Sequence, residues 1–501
     1  MLYVWLLACP SSPVEQTIVI PANKPEPKQI ETTGEWVIGE IEDCTSPQSN
    51  ASWTDQSASL FGADRQADDQ PAGCIALIEQ EEEWIVAVTT SHSIRWRNLS
   101  GSIDVALPMQ PTPVRLRVDD FDNDGQWDAL VYSNSVSIGW SFLTENAVWD
   151  TLVADQEGCT LRDIAVVDKE GDGDLDLIVP GLHACRQHDN WIGALLENLG
   201  DRTFSHPQEL DVADDFWGVL FDAIPIDIDG DSDLDIYMCN DFGSEFAPNG
   251  WLMNDNGDFV AGEPFYSDVV AHCMGASFGD VDQDGLFDIY VAGNGNQFLL
   301  INSPAGWIES SSSWSLPSFK SLQMAWGSAF TDYDNDGLID LVVTTSDFAG
   351  DGHQLFPIWM LRQTPSGTFV EEGESLGFAQ LTGGRGIIVQ DVNLDGVVDF
   401  LIADAFGDPW FYVSNGCTSD NWIEVSAPSG STVAVNAGGK QWNMLASNNP
   451  GFAASQPAMV HIGLGEINKI DSIVVKIPYR GTATLQGPLE TRRRLTVIDA
   501  D

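Results

Sequence analysis

The chain has 501 residues, of which 76 are acidic and 21 basic, giving a net charge of −55. A surface this acidic repels nucleic acid and anionic membranes, so neither is expected as a partner, and it suits cationic partners or a saline medium. The length accommodates a large repeat domain and a second, smaller one.

Residues 1–9 end in Leu6-Leu7-Ala8-Cys9, which resembles a bacterial lipobox with Cys9 as the lipidated residue. Residues 10–34 are rich in Pro, Ser, Thr, Glu and Lys, a composition that suits a disordered tether. The expected location is therefore extracytoplasmic: an outer-membrane or cell-surface lipoprotein, with a secreted form as the alternative. A lipid anchor would be the sole membrane contact, because no other segment approaches the roughly 18 apolar residues that span a bilayer.

Residues 35–416 read as a repeat array. Its first unit, Cys74 to Val88, has a strand-turn-strand pattern with no metal-binding residues in its turn. Six nine-residue acidic loops follow. Their oxygen-bearing positions 1, 3, 5 and 9 are Asp120, Asp122, Asp124 and Asp128; Asp168, Glu170, Asp172 and Asp176; and Asp227, Asp229, Asp231 and Asp235. The last three loops carry Asp280, Asp282, Asp284 and Asp288; Asp332, Asp334, Asp336 and Asp340; and Asp391, Asn393, Asp395 and Asp399. Hard Ca²⁺ takes six to eight oxygens at about 2.3–2.6 Å in irregular geometry, so up to six Ca²⁺ ions are expected. Position 6 needs a sharp turn and is Gly in every loop but the third, where Ser232 replaces it.

An EF-hand would place Glu at position 12 and continue as a helix. Position 12 is instead Val131, Val179, Met238, Val291, Val343 or Ile402, inside short apolar runs that read as buried strands. Loop starts lie 48 to 59 residues apart. That period, with several short strands per unit, is the signature of four-stranded propeller blades. Six metal loops and the metal-free first unit predict an all-β, seven-bladed propeller.

Residues 420–501 predict a separate β-rich domain docked on the propeller. Thr432–Val435 and Lys440–Met444 alternate around a Gly438-Gly439 hairpin signal, and a strand from Ile470 stops at Pro478. Arg492, Arg493 and Arg494 give this tail a cationic element that should favour docking on an acidic partner. Among the eight cysteines, sequence neighbours could bridge as Cys44–Cys74, Cys159–Cys185 and Cys239–Cys273; alternatively, Cys417 meets Cys44 or Cys74 where the ring closes.

The repeat units resemble the FG-GAP/VCBS repeats of integrin α-type β-propellers, most closely at Gly275-Ala-Ser-Phe-Gly-Asp280-Val-Asp-Gln-Asp-Gly285. The tail resembles an ASPIC/UnbV domain through Asn421-Trp-Ile-Glu-Val425, Gly451-Phe-Ala-Ala-Ser-Gln456 and His461-Ile-Gly-Leu-Gly-Glu466. That combination is the arrangement of bacterial relatives of cartilage acidic protein. The resemblance implies architecture far more firmly than activity.

Several catalytic-looking motifs fit structural roles better. Gly275-Ala-Ser277-Phe-Gly279 matches a nucleophile elbow but is the strand entering a calcium loop, not a strand-to-helix turn. His183 and His188 flank Cys185 in a loop, His461 falls in a tail strand, and the Trp residues at 140, 191, 251, 359 and 410 recur near strand ends as packing elements. No catalytic residues are assigned. The expected function is a non-enzymatic module binding an unidentified protein or glycan ligand through loops around the propeller channel. A calcium-dependent polysaccharide lyase or hydrolase, or an accessory protein of a biosynthetic or export cluster, are the alternatives.

Overall fold

The computed structural model describes residues 35–498 apart from 62–70, 81–82, 91–92, 100–103, 109–114, 122–126, 133–137, 143–149, 154–162, 180–192, 201–202, 211, 213–217, 263–268 and 348–353. Cys9, the tether, Asp122, Asp124, Cys159, Cys185, His183, His188 and Trp191 lie outside the described residues. The fold is almost entirely β, as the short apolar runs predict.

Among the described residues, seven antiparallel meanders follow one another along the chain. The first strands are Pro71–Gln80, Arg115–Asp119, Ala165–Val167, Val219–Ile226, Cys273–Gly279, Met324–Thr331 and Gly384–Gln390. Each acidic loop joins a first strand to a second, such as Cys273–Gly279 to Asp288–Gly293. This is the plan of a propeller, with the first strands innermost. Gly275 and Gly386 lie on two of them, where an added Cβ would fall 2.6 Å from the Trp326 carbonyl oxygen and 2.4 Å from that of Ala453. Crowding of backbones around the axis excludes any side chain there.

The last meander takes its fourth strand from the start of the chain. Trp53–Asp55 pairs with Trp410–Ser414 in register Trp53↔Ser414, and the Cys44–Cys417 disulfide ties the same seam with Cα atoms 5.8 Å apart. Cys239–Cys273 is bridged as well, and Cys74 is buried and does not pair with Cys44. Of the open pairings, Cys417 therefore takes Cys44.

One boundary differs from expectation. Glu35–Ile38, placed by sequence in the propeller, pairs with Arg494–Ile498 of the C-terminal domain. Trp36 packs on that domain's core, which gives the strand an apolar anchor there. The C-terminal domain has two four-stranded sheets, one of which includes Ser431–Ala437 and Lys440–Ala446 joined at Gly438-Gly439. Its core is continuous with the propeller's: Ile423, Val433, Trp442 and Ile473 share one apolar cluster with Tyr290, Phe330 and Leu341.

Between Ala446 and Met459 the C-terminal domain sends an arm into the middle of the ring. Ala454–Ser455 pairs in parallel with Ile75–Ala76 of the first meander. Phe452 stacks on Phe221 with ring centroids 5.7 Å apart and sits 5.4 Å from Trp326, while the Arg115 guanidinium lies 4.0 Å over its ring. Asn449 accepts a hydrogen bond from Arg117 (2.6 Å) and donates one to the Ala223 carbonyl (2.6 Å). Buried Arg117 is balanced by Asp163 at 3.0 Å and Asp222 at 3.7 Å. The channel expected to gather ligand loops is instead entered by the chain itself, with a cavity of about 90 Å³ left between the arm and the inner strands.

Candidate metal centres

Each described loop is a set of side-chain-to-backbone hydrogen bonds that turns carboxylates inward. In the loop at Asp332, Oδ2 of Asp332 accepts the Gly337 N–H (2.8 Å) and Oδ1 that of Asp336 (3.1 Å). Asp334 accepts from Asp336, and Asp336 from Leu338. Asp and Asn stabilise such turns because their short side chains reach the backbone two residues on. The loops at Asp227, Asp280 and Asp391 repeat the pattern.

Position 6 is left-handed as expected, and Ser232 adopts it at φ +83. The Ser232 N–H still reaches Asp227 Oδ2 at 3.1 Å, so the turn survives loss of Gly at the cost of a conformation L-residues disfavour. Position 4 is left-handed too, at Gly171, Gly230, Gln283, Asn335 and Leu394. Sequence reasoning missed this second turn because only two of those five residues are Gly.

Position 9 makes contacts that sequence did not reveal. Asp340 Oδ2 accepts the Tyr333 N–H (3.2 Å) and Oδ1 the Gln363 N–H (2.8 Å), fastening the loop to the third strand of its own blade. Asp176, Asp235, Asp288 and Asp399 are bonded in the same way. All are buried.

Among the described residues, carboxylate oxygens come within 4.8 Å of one another in three sets: Asp227, Asp229 and Asp231; Asp280, Asp282 and Asp288; Asp332, Asp334 and Asp336. Burial, then the charges of Asp334 and Asp336, holds the Asp332 carboxyl well above its usual range; burial pushes Asp288 up to about 8. Asp280 is almost fully buried, and its Oδ1 has no hydrogen-bond partner. An all-oxygen set of crowded, desolvated carboxylates with an unsatisfied inward oxygen fits a hard divalent cation.

Among the described residues, the other loops do not converge to this degree. Glu170 turns onto Lys169, with Nζ 2.6 Å from Oε1. Asn393 donates to Asp395 (2.9 Å) and to the Ser414 carbonyl (3.3 Å), so its amide is tied to its own blade.

The C-terminal domain lies directly on five consecutive loops. An added Cβ on Gly171 would fall 2.3 Å from the Tyr479 side chain. The Tyr479 hydroxyl accepts from Leu234 N (3.0 Å) and Asn254 Nδ2 (2.8 Å), and its N–H donates to Ser232 O. Asn443 donates to Asp280, and Trp442 Nε1 donates to the Gly337 carbonyl (3.0 Å). Arg494 donates to the Asp391 carbonyl (3.3 Å) and to buried Glu424 (2.8 Å).

His461 stacks on Trp422 and shares a 2.8 Å hydrogen bond with Asn335, as a packed interface residue would. Ser277 is buried on its strand and bonded to Ser328 at 2.9 Å. Trp251 and Trp359 are buried in the packing, as expected.

Residues 227–291, 280–343 and 332–402 match the family described as FG-GAP-like repeat, and residues 426–501 match ASPIC and UnbV. No curated protein matches the chain. A crystal structure of BBS1N in complex with ARL6DN, soaked with mercury, is similar at 11% identity and TM-score 0.43, over 72% of this chain and 96% of that one. The extracellular domain of the putative one component system BT4673 from B. thetaiotaomicron is similar at 11% identity and TM-score 0.41, over 72% of this chain and 39% of that one. Likeness at this level carries no functional argument.

Proposed function

Because the chain carries FG-GAP-like repeats and an ASPIC and UnbV domain, we propose that it is a non-enzymatic, calcium-stabilised binding module that works outside the cytoplasm. We read its meanders as seven blades and its ligand as a protein, held on the propeller face away from the C-terminal domain. The observation that carries the calcium reading is the recurrence of one oxygen cage on successive hairpins, three of them with carboxylates within 4.8 Å. Those carboxylates would hold Ca²⁺, which supplies the positive charge that their burial otherwise draws from protons. At about ten times its Kd, an ion adds roughly 1.4 kcal/mol of stability per site.

FG-GAP-like repeats on a propeller-like fold support a binding or adhesion module of extracellular type in general. Disulfides at Cys44–Cys417 and Cys239–Cys273 fit an oxidising compartment. Among the described residues no helix is long and apolar enough to cross a membrane; lipidation at Cys9 would supply an anchor. With the arm in the channel and the C-terminal domain over the metal loops, the opposite strand ends are left to meet a ligand. Leu322, Leu355, Leu381 and Phe242 are exposed there, a rim that suits a protein more than a glycan. Buried Trp251 and Trp359 offer no sugar-stacking surface.

Thermal unfolding tests the calcium reading. EDTA should lower the melting temperature, and Ca²⁺ should restore it better than Mg²⁺, which demands near-ideal octahedral geometry. An unchanged curve after verified removal of the ions would end it. Release of new reducing ends or unsaturated products from polysaccharides would overturn the non-enzymatic reading.

A further inference from the structure

Asn443 sits on strand Lys440–Ala446 of the C-terminal domain, 163 residues from the loop it reaches. Its Nδ2 donates to Asp280 Oδ2 at 2.7 Å, the same oxygen that accepts the Gly285 N–H at 3.1 Å. Two donors thus fix one side of the carboxylate. The other oxygen, Oδ1, is buried without a hydrogen-bond partner, and Asp280, Asp282 and Asp288 bring carboxylate oxygens within 4.8 Å of one another. Asn443 is itself oriented, because Gln441 Nε2 donates to its Oδ1 at 3.0 Å. On the same strand, Trp442 bonds the Gly337 carbonyl of the next loop. Gly463 approaches Asp332 so closely that an added Cβ would fall 2.0 Å from Oδ2.

We propose that the C-terminal domain is part of the metal centres it covers, with Asn443 as the positioning residue for Asp280, so that the ion and the docked domain hold one another. This rests on the calcium reading above. A carboxylate already bonded on its far side presents its free oxygen in one orientation, so a cation meets a prepared ligand; losing such an outer partner typically costs about 10–100-fold in affinity. Coupling between sites is reciprocal, so the factor by which the docked domain tightens the ion is the factor by which the ion tightens docking.

Calcium isotherms on the full chain test it, with wild type, Asn443→Leu, Asp280→Ala and the double variant. Asn443→Leu should weaken one site about ten-fold or more and leave the remaining sites as they were. The double variant should lose no more than Asp280→Ala alone, because both changes act on one ion. Gln441→Leu, which leaves Asn443 present but unheld, should weaken the same site less, and it serves if Asn443→Leu does not fold. An isotherm for a folded Asn443→Leu or Gln441→Leu protein that overlays wild type would overturn the proposal. A wild-type protein that binds no calcium would instead remove its premise. In limited proteolysis, Ca²⁺ should protect the C-terminal domain of wild type more than that of Asp280→Ala; equal protection would count against the coupling.

Discussion

Asp340→Ala is expected to destabilise the protein even when all calcium has been removed. Asp340 is fully buried, and its two oxygens accept the N–H groups of Tyr333 and Gln363, both themselves buried. Truncation leaves two donors without partners inside the protein, at about 1–3 kcal/mol each. The sum, about 2–6 kcal/mol, is a large share of a typical folding margin of about 5–15 kcal/mol. Asp336, four residues earlier and exposed, supplies a cage oxygen but satisfies only the exposed Leu338 N–H. Its charge is also one of those that raise the Asp332 carboxyl. Asp336→Ala should therefore be neutral or slightly stabilising in EDTA and destabilising only relative to wild type in Ca²⁺. Urea unfolding of both variants, in EDTA and in saturating Ca²⁺, reads the difference. Equal midpoints for the two in EDTA would show that position 9 is a metal ligand and nothing more.

Ser232→Gly should relieve a left-handed residue and raise stability by roughly 1 kcal/mol, visible as a higher melting temperature; no shift would mean the loop at Asp227 bears no strain. Cleavage near residues 415–421 should leave the C-terminal domain associated with the propeller at low salt, because its arm lies in the channel. Phe452→Asp should instead let the cleaved domain go, and co-elution of that variant on gel filtration would refute the arm as an anchor. Burial, then the charge of Asp163, pushes Asp222 up to about 7 from an ordinary value of 3.8, against the opposing pull of Arg117. A carboxyl raised on folding contributes stability below its unfolded pKa and loses it as pH rises through the folded one. Wild-type stability relative to Asp222→Asn should then decline between about pH 4 and 7; parallel profiles would refute the assignment.

The sequence by itself determined what is locally encoded. Asp at alternating positions and Gly at the sixth specify Asx turns, and the apolar run after each loop specifies a buried strand. The turns of the five loops from Asp168 to Asp391, the meanders and the hairpin at Gly438-Gly439 were therefore legible. Recurrence also let Ser232 stand out as the deviant, and its φ of +83 agrees. The left-handed fourth position was hidden, because Gln283, Asn335 and Leu394 adopt it without being Gly; Gln283 and Asn335 are also tied to the next loop, Asn335 Nδ2 donating to the Gly396 carbonyl at 2.7 Å. Tertiary structure alone decided the long-range contacts. Trp36 joins a strand at the far end of the chain, Phe452 enters the ring, Cys44 finds Cys417, and Asn443 reaches Asp280. None of these residues has a periodic signature. Partners hundreds of residues apart meet only because closing the ring brings the chain's ends together, and because an 80-residue domain of this kind buries its apolar face most fully against the propeller.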